Sequence, residues 1–240
     1  MTADPAADPA CARQRLAAVA AVSALIVHSG RNRLTMARTA LELLQIRREG
    51  DLNDEQRASF LQQLDLFLDE FNLGVDLLRC HDAALGPVAI RAVAAEALDT
   101  IRPLAVRAGI ALEFAPADGP DVVRADRNLL RVALLNLLRN AVEALVESPP
   151  AGGGAARIRL RTALAGARAQ LEVEDNGPGL PAKVHDRLFQ DFVTGRPGGA
   201  GLGLSLCRDA MLVMDGTIAY LTPRGAAGGR FRLELGRWPS

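Results

Sequence analysis

Lysine is almost absent from this chain. Lys183 is the only one, and arginine carries nearly all of the positive charge. No Gly-Lys-Ser/Thr sequence exists, so a P-loop nucleotide site is excluded. Charge of one sign is not in excess either: 28 basic and 28 acidic residues give a formal net charge of zero. The two signs interleave along the chain, which argues against a nucleic-acid binder with a one-sided basic surface. Cysteine is scarce. Cys11, Cys80 and Cys207 are odd in number and far apart, so neither a disulfide framework nor a zinc site is expected, and a reduced, cytoplasmic setting is the simple reading. Long apolar runs are lacking as well. "LAAVAAVSALIV", residues 16–27, falls short of the roughly 20 residues that a membrane span needs. No small-residue cleavage site follows it, and the helical pattern continues through Leu34, Ala37, Leu41 and Leu44. A buried bundle helix is expected, with no stable membrane insertion.

What is present is enough apolar sequence for a core: 49% of 240 residues are hydrophobic, in one large domain or two small ones. Residues 1–11 read as a disordered tail. Residues 12–82 read as two long helices with a break at "EGDLND", where Gly50 stops the first and Asn53 or Asp54 caps the second. Phe60, Leu64, Phe67, Leu68, Phe71 and Val75 form the apolar stripe of the second helix. Such a hairpin exposes too much apolar face to stand alone, and a four-helix bundle made by two chains is the natural solution. Residues 83–87 are a linker marked by Gly86-Pro87.

Residues 88–240 change character. Val88 to Arg107 reads as a helix, "IALEFAP" and "DVVRAD" as short strands, and Asp126 as the cap of the helix "RNLLRVALLNLLRNAVEALVE". "RIRLRT" and "QLEVED" alternate as strands that pair. A glycine-rich span, a helix to about Met214, and the strands "TIAYL" and "RFRLEL" close the chain. The mixture predicts an α+β sandwich, with helices on one face of a mixed sheet.

Two glycine clusters carry candidate chemistry. "EDNGPGLP" follows a strand and "GGAGLGLSL" opens a helix, where free backbone amides and the helix dipole favour a phosphate. Taken singly, either is as readily an ordinary tight loop. Gly177, Gly179 and Ala182 match a dinucleotide fingerprint, but Pro178 and Pro181 interrupt it. Asn136 and Asn140 lie four apart, hence on one face of an otherwise apolar helix, and buried amides need partners. Asn140 can offer its oxygen to Mg²⁺, a hard cation. Asp175 can accept a hydrogen bond from an exocyclic amine such as that of adenine.

"NLLRNAVEAL", "DNGPGL", "LFQDFVTGRPGGAGLGLSL" and "GGRFRLEL" together resemble, in order and spacing, the N, G1, F and G2 boxes and closing strand of the histidine-kinase ATP-binding domain. The N-terminal hairpin resembles the dimerisation and phosphotransfer domain of the same family. The resemblance covers nearly the whole chain after the tail. It implies a Bergerat-type α/β sandwich that binds ATP and Mg²⁺, behind a hairpin that forms a homodimeric four-helix bundle. Asn140 then holds Mg²⁺ and Asn136 lies beside the triphosphate. Asp175 reads the adenine amine, with Gly177 and Gly179 shaping that wall. Gly199, Gly201, Leu202 and Gly203 let the lid and helix N-terminus approach the phosphates, and Phe189 and Phe192 pack the lid. Arg196 stands where the family often has lysine and supplies charge to the γ-phosphate in a bidentate way. Related gyrase-like and chaperone-like ATPases carry glutamate at the position of Asn136 to activate water; asparagine is no base, which implies transfer to another acceptor.

That acceptor is expected to be His28. "HSGRNRL" keeps His28, Arg31, Asn32 and Leu34 of the family's H box and departs at Ser29 and Arg33. The resemblance implies a two-component histidine kinase that autophosphorylates His28 from Mg-ATP and passes the phosphoryl group to an aspartate of a response-regulator receiver domain. Asn32 matches the position that orients water for dephosphorylating that partner. Ser29 replaces the usual acid, and a general base typically contributes about 10²–10⁴-fold. Glu42, the nearest downstream carboxylate on that helix, lies about 20 Å along the axis. Slow autophosphorylation is therefore expected. Two rival readings stay open: a pseudokinase scaffold that docks a regulator or a kinase, and a protein-serine kinase of the anti-sigma type. His81 and His185 read as structural residues.

Overall fold

A computed structural model describes residues 85–119, 121–150, 153–190, 203–221 and 228–239. The chain divides into two units, Met1–His81 and Asp82–Ser240, and all the described residues belong to the second. The expected hairpin and bundle, with His28 and Asn32, lie outside the described residues.

The second unit's described residues open with β1 (Gly86–Ala89), where a linker through Pro87 and a helix from Val88 were expected. β1 pairs antiparallel with β3 (Val122–Ala125), Val88 opposite Val123. Helix α1 (Ile90–Arg107) follows. Its buried residues Ile90, Val93, Ala94, Ala97, Leu98, Ile101 and Ala105 recur at helical spacing and form one apolar face. Its N-cap residue, Ala89, has no capping side chain. Asp121 caps the helix from across the chain: its backbone carbonyl accepts from Ile90 N at 3.0 Å and its carboxylate from Arg91 N at 2.8 Å. Burial pushes the Asp121 carboxyl up, but its hydrogen bonds to Arg91 outweigh this and hold it below the ordinary value.

Helix α2 (Arg127–Glu147) begins where expected. Asp126 Oδ1 accepts from Asn128 N at 2.8 Å and Leu129 N at 3.0 Å, satisfying two of the orphan amides of the first turn. Ten of its residues, from Leu129 to Leu145, are buried, because it packs on α1, on α3 (Gly203–Val213) and on the sheet.

The five-stranded sheet has the order β2-β4-β5-β7-β6, with β2 (Ala111–Ala115), β4 (Arg157–Ala165), β5 (Arg168–Asp175), β6 (Thr217–Tyr220) and β7 (Arg230–Gly236). β2 runs parallel to β4 and every other pair in this sheet is antiparallel, so the sheet is mixed, as expected. Alternation sorts the residues. Ile158, Leu160, Leu171, Val173, Leu233 and Leu235 are buried toward the helices. The other face carries ion pairs: Arg159 with Glu113 at 2.6 Å, and Glu172 with both Arg230 at 2.5 Å and Arg232 at 2.7 Å. No helix among the described residues is long and apolar enough to cross a membrane.

Candidate nucleotide site

Helix α2 presents Asn136 and Asn140 one turn apart, both half-buried. Asn136 Nδ2 donates to Cys207 Sγ at 3.2 Å, and the Cys207 thiol donates to the Ala133 carbonyl at 3.4 Å. Burial pushes the thiol up to about 12, only partly offset by the Asn136 hydrogen bond. It therefore stays protonated, and the sulfur accepts while its proton is committed to Ala133. This arrangement fixes which end of the Asn136 amide faces Cys207. Asn140 is itself engaged with a neighbour.

The other end of the Asn136 amide meets the start of α3. A Cβ at Gly203 would stand 2.6 Å from Asn136 Oδ1 and 2.9 Å from Nδ2. Only glycine brings the α3 N-terminus this close to α2. The side-chain amide of Asn136 thus stands against the first described residue of α3, and a helix N-terminus favours negative charge.

Asp175 ends β5. Its Oδ1 accepts from Gly177 N at 2.8 Å and Gly229 N at 3.2 Å, and its own N–H donates to Gly229 O at 2.9 Å. Asn176 pins the following turn: its Oδ1 accepts from Arg157 N at 2.8 Å and its Nδ2 donates to Ala155 O at 2.9 Å. Gly179 has φ 71°, and a Cβ there would lie 2.6 Å from Gly228 O. Gly228 has φ 135°, and its Cβ would lie 2.1 Å from Asp175 O. No side chain fits there, and this close approach lets Gly229 donate to the carboxylate. A short 3-10 helix (Ala182–Arg187) follows Pro181, where no helical pattern was expected. At its end Leu188 is buried, Phe189 is half-buried, and the Phe189 carbonyl accepts from Arg208 of α3 at 2.6 Å.

The structure thus brings Asn136 to Gly203 and Asp175 to Gly177, while Gly179 lies against Gly228. Phe192, Arg196, Gly199, Gly201 and Leu202 lie outside the described residues. Sequence reasoning missed Cys207, Asn176, Gly228 and Gly229. Asn176 and Gly228-Gly229 did leave a signal, since they stand in "DNGPGL" and "GGRFRLEL", whereas Cys207 left none.

The donor set fits a magnesium–nucleotide complex. Among the described residues no group of three or more His, Cys, Asp or Glu can hold a metal ion by itself. Among them the side-chain oxygen of Asn140 is of the kind that a hard cation such as Mg²⁺ prefers, with ligand oxygens to fill its shell.

Residues 125–238 match the family described as histidine kinase-, DNA gyrase B-, and HSP90-like ATPase. The chain is 33% identical over 160 residues to the C4-dicarboxylate transport sensor protein DctS of Rhodobacter capsulatus, covering 67% of this chain and 24% of DctS. It is 42% identical over 103 residues to the sensory histidine kinase/phosphatase NtrB of Klebsiella oxytoca, covering 40% of this chain and 28% of NtrB. The chain therefore spans only about a quarter of the length of these curated relatives. Its fold resembles that of histidine kinase ThkA in complex with the response regulator protein TrrA, with a TM-score of 0.65 and 20% identity over 95% of this chain and 64% of that one.

Proposed function

Because the chain belongs to the two-component sensor histidine kinases, with a GHKL-type ATP-binding domain over residues 125–238, we propose that it binds Mg-ATP, phosphorylates His28 and passes the phosphoryl group to a response-regulator aspartate. The observation that carries the reading is the junction of α2 and α3. There Asn136 stands at the helix N-terminus with its amide oriented by Cys207. Asparagine at this position positions a ligand but removes no proton from water, which suits transfer to a second protein group rather than hydrolysis.

In this reading the Asp175 carboxylate accepts from the adenine amine while Gly177 and Gly229 hold it in place. Asn136 and the α3 amides orient the triphosphate, and Asn140 supplies oxygen to Mg²⁺. The ion neutralises phosphate charge, which with positioning provides most of the catalysis in phosphoryl transfer. Phe189, Phe192, Arg196, Gly199, Gly201 and Leu202 form the lid over the phosphates. His28, as neutral imidazole, attacks the γ-phosphorus in line, with the hairpin of two chains as the dimer interface. Asn32 orients water when the partner is dephosphorylated. NtrB is named a kinase/phosphatase and ThkA was solved with a response regulator, and both support this partner class.

One feature favours a second reading. Ser29 is a poor base near neutral pH, which suits a scaffold that binds nucleotide and docks a regulator without transferring phosphate. γ-labelled ATP separates the two. Acid-labile, base-stable label that is lost in His28→Ala and gained faster in Ser29→Glu is the expected result. ATP binding with no label refutes the kinase and leaves the scaffold. Label on a partner's serine points to the anti-sigma type of kinase.

A further inference from the structure

Two side chains that the proposed mechanism leaves unused hold both backbone polar groups of one residue. The Leu180 N–H donates to the Tyr220 hydroxyl at 3.2 Å, and the Leu180 carbonyl lies 3.0 Å from His185 Nε2. A carbonyl only accepts, so Nε2 carries the hydrogen of that bond. The two rings also meet each other, with centroids 5.0 Å apart, and Tyr220 meets Phe231 of β7 at 5.2 Å. Tilted ring pairs at such distances attract. Phe231 is buried in the sheet, so the stack has a fixed base.

The stack ends on the turn that shapes the Asp175 site. Leu180 follows Gly179, which lies against Gly228, and Gly177 donates to Asp175 Oδ1. Pro178 contributes no N–H to hold the turn. Tyr220 is the terminal residue of β6, an edge strand, and His185 sits in the 3-10 helix beyond the turn. The turn is therefore gripped at Leu180 from two separate elements.

We propose that Tyr220 and His185 are positioning residues for base recognition: they fix the 176–180 turn so that Gly177 stays seated against Asp175 and Gly179 against Gly228. This rests on the reading of Asp175 as the group that accepts from adenine. Because the grip acts on the turn and not on α2 or α3, it governs affinity for the base and leaves affinity for the phosphates alone.

Tyr220→Phe removes one oxygen and keeps the ring stack, so the fold is retained. Calorimetric titration of the full chain with ATP should show affinity about fivefold to tenfold lower, the loss expected for one hydrogen bond. Inorganic tripolyphosphate should bind the variant and the parent equally, and the Leu180 amide should exchange its hydrogen faster in the variant. His185→Gln keeps an N–H donor and should bind ATP as the parent does, whereas His185→Leu should match Tyr220→Phe. ATP affinity of Tyr220→Phe within twofold of the parent overturns this proposal alone. So does a parallel loss of ATP and tripolyphosphate. A parent chain that binds tripolyphosphate but does not prefer ATP overturns the reading of Asp175, and this proposal with it.

Discussion

A methyl group at position 203 has no space to occupy. In Gly203→Ala the new Cβ would stand 2.6 Å from Asn136 Oδ1, 2.9 Å from Nδ2 and 3.1 Å from Cγ, all at the same amide. That amide cannot simply swing aside, since its Nδ2 is bound to Cys207 Sγ at 3.2 Å. Either α3 retreats or Asn136 gives up the bond. Losing the bond costs about 1 kcal/mol, and overpacking typically costs about 1–3 kcal/mol. The alanine returns up to about 1 kcal/mol as a better helix former, less at a first helical residue. The net loss is about 1–2 kcal/mol, a fall in Tm of roughly 2–8 °C for a chain of this size. Nucleotide binding should suffer more. In the proposed reading a displaced Asn136 forfeits a hydrogen bond to a charged ligand, about 1.5–3 kcal/mol, which is about tenfold to a hundredfold in affinity. Thermal unfolding and ATP titration at 25 °C measure the two effects separately. An alanine variant that melts higher than the parent and binds ATP equally well would refute the reasoning, because the amide would then not stand against α3.

Two stability predictions follow from charged groups in the described unit. Burial pushes Glu172 up, but its hydrogen bonds to Arg230 and Arg232 prevail and hold it below its ordinary value of 4.5. A depressed folded value gives stability that is present above 4.5 and is lost as pH falls through the folded value. Glu172→Gln should therefore cost about 1–2 kcal/mol at pH 7, the arginines being partly exposed. Urea unfolding should show that deficit shrinking below pH 4.5; a constant deficit would mean that the charge contributes nothing. Asp126→Ala removes the two capping bonds of α2 and should cost about 1 kcal/mol, whereas Asp126→Asn should cost much less. Equal losses in the two variants would show that the cap is not the source of the effect.

Much of the second unit was legible because the deciding information is local. Asp126 followed by an apolar helical period marks α2, and it begins there. "RIRLRT" and "QLEVED" alternate, and they pair antiparallel as β4 and β5. The four-residue spacing of Asn136 and Asn140 needs only the helix pitch. Local signals also misled. Val88 and Ala89 read as the first turn of a helix, yet they pair with β3. The helix starts at Ile90 because Asp121, thirty-odd positions along, supplies the cap that its own sequence lacks.

The sequence by itself determined the order of elements, the face on which the asparagines stand and the strand end that carries Asp175. These follow from propensity and periodicity within windows of a few residues. Tertiary structure alone decided what surrounds them. Cys207 reaches Asn136 across 71 positions, Gly229 reaches Asp175 across 54, and Tyr220 reaches Leu180 across 40. No pattern in the chain encodes such separations. They arise when α2 packs on α3 and when β5, β7 and β6 align in register, which brings a thiol to Asn136, a glycine pair to Asp175 and a tyrosine to Leu180.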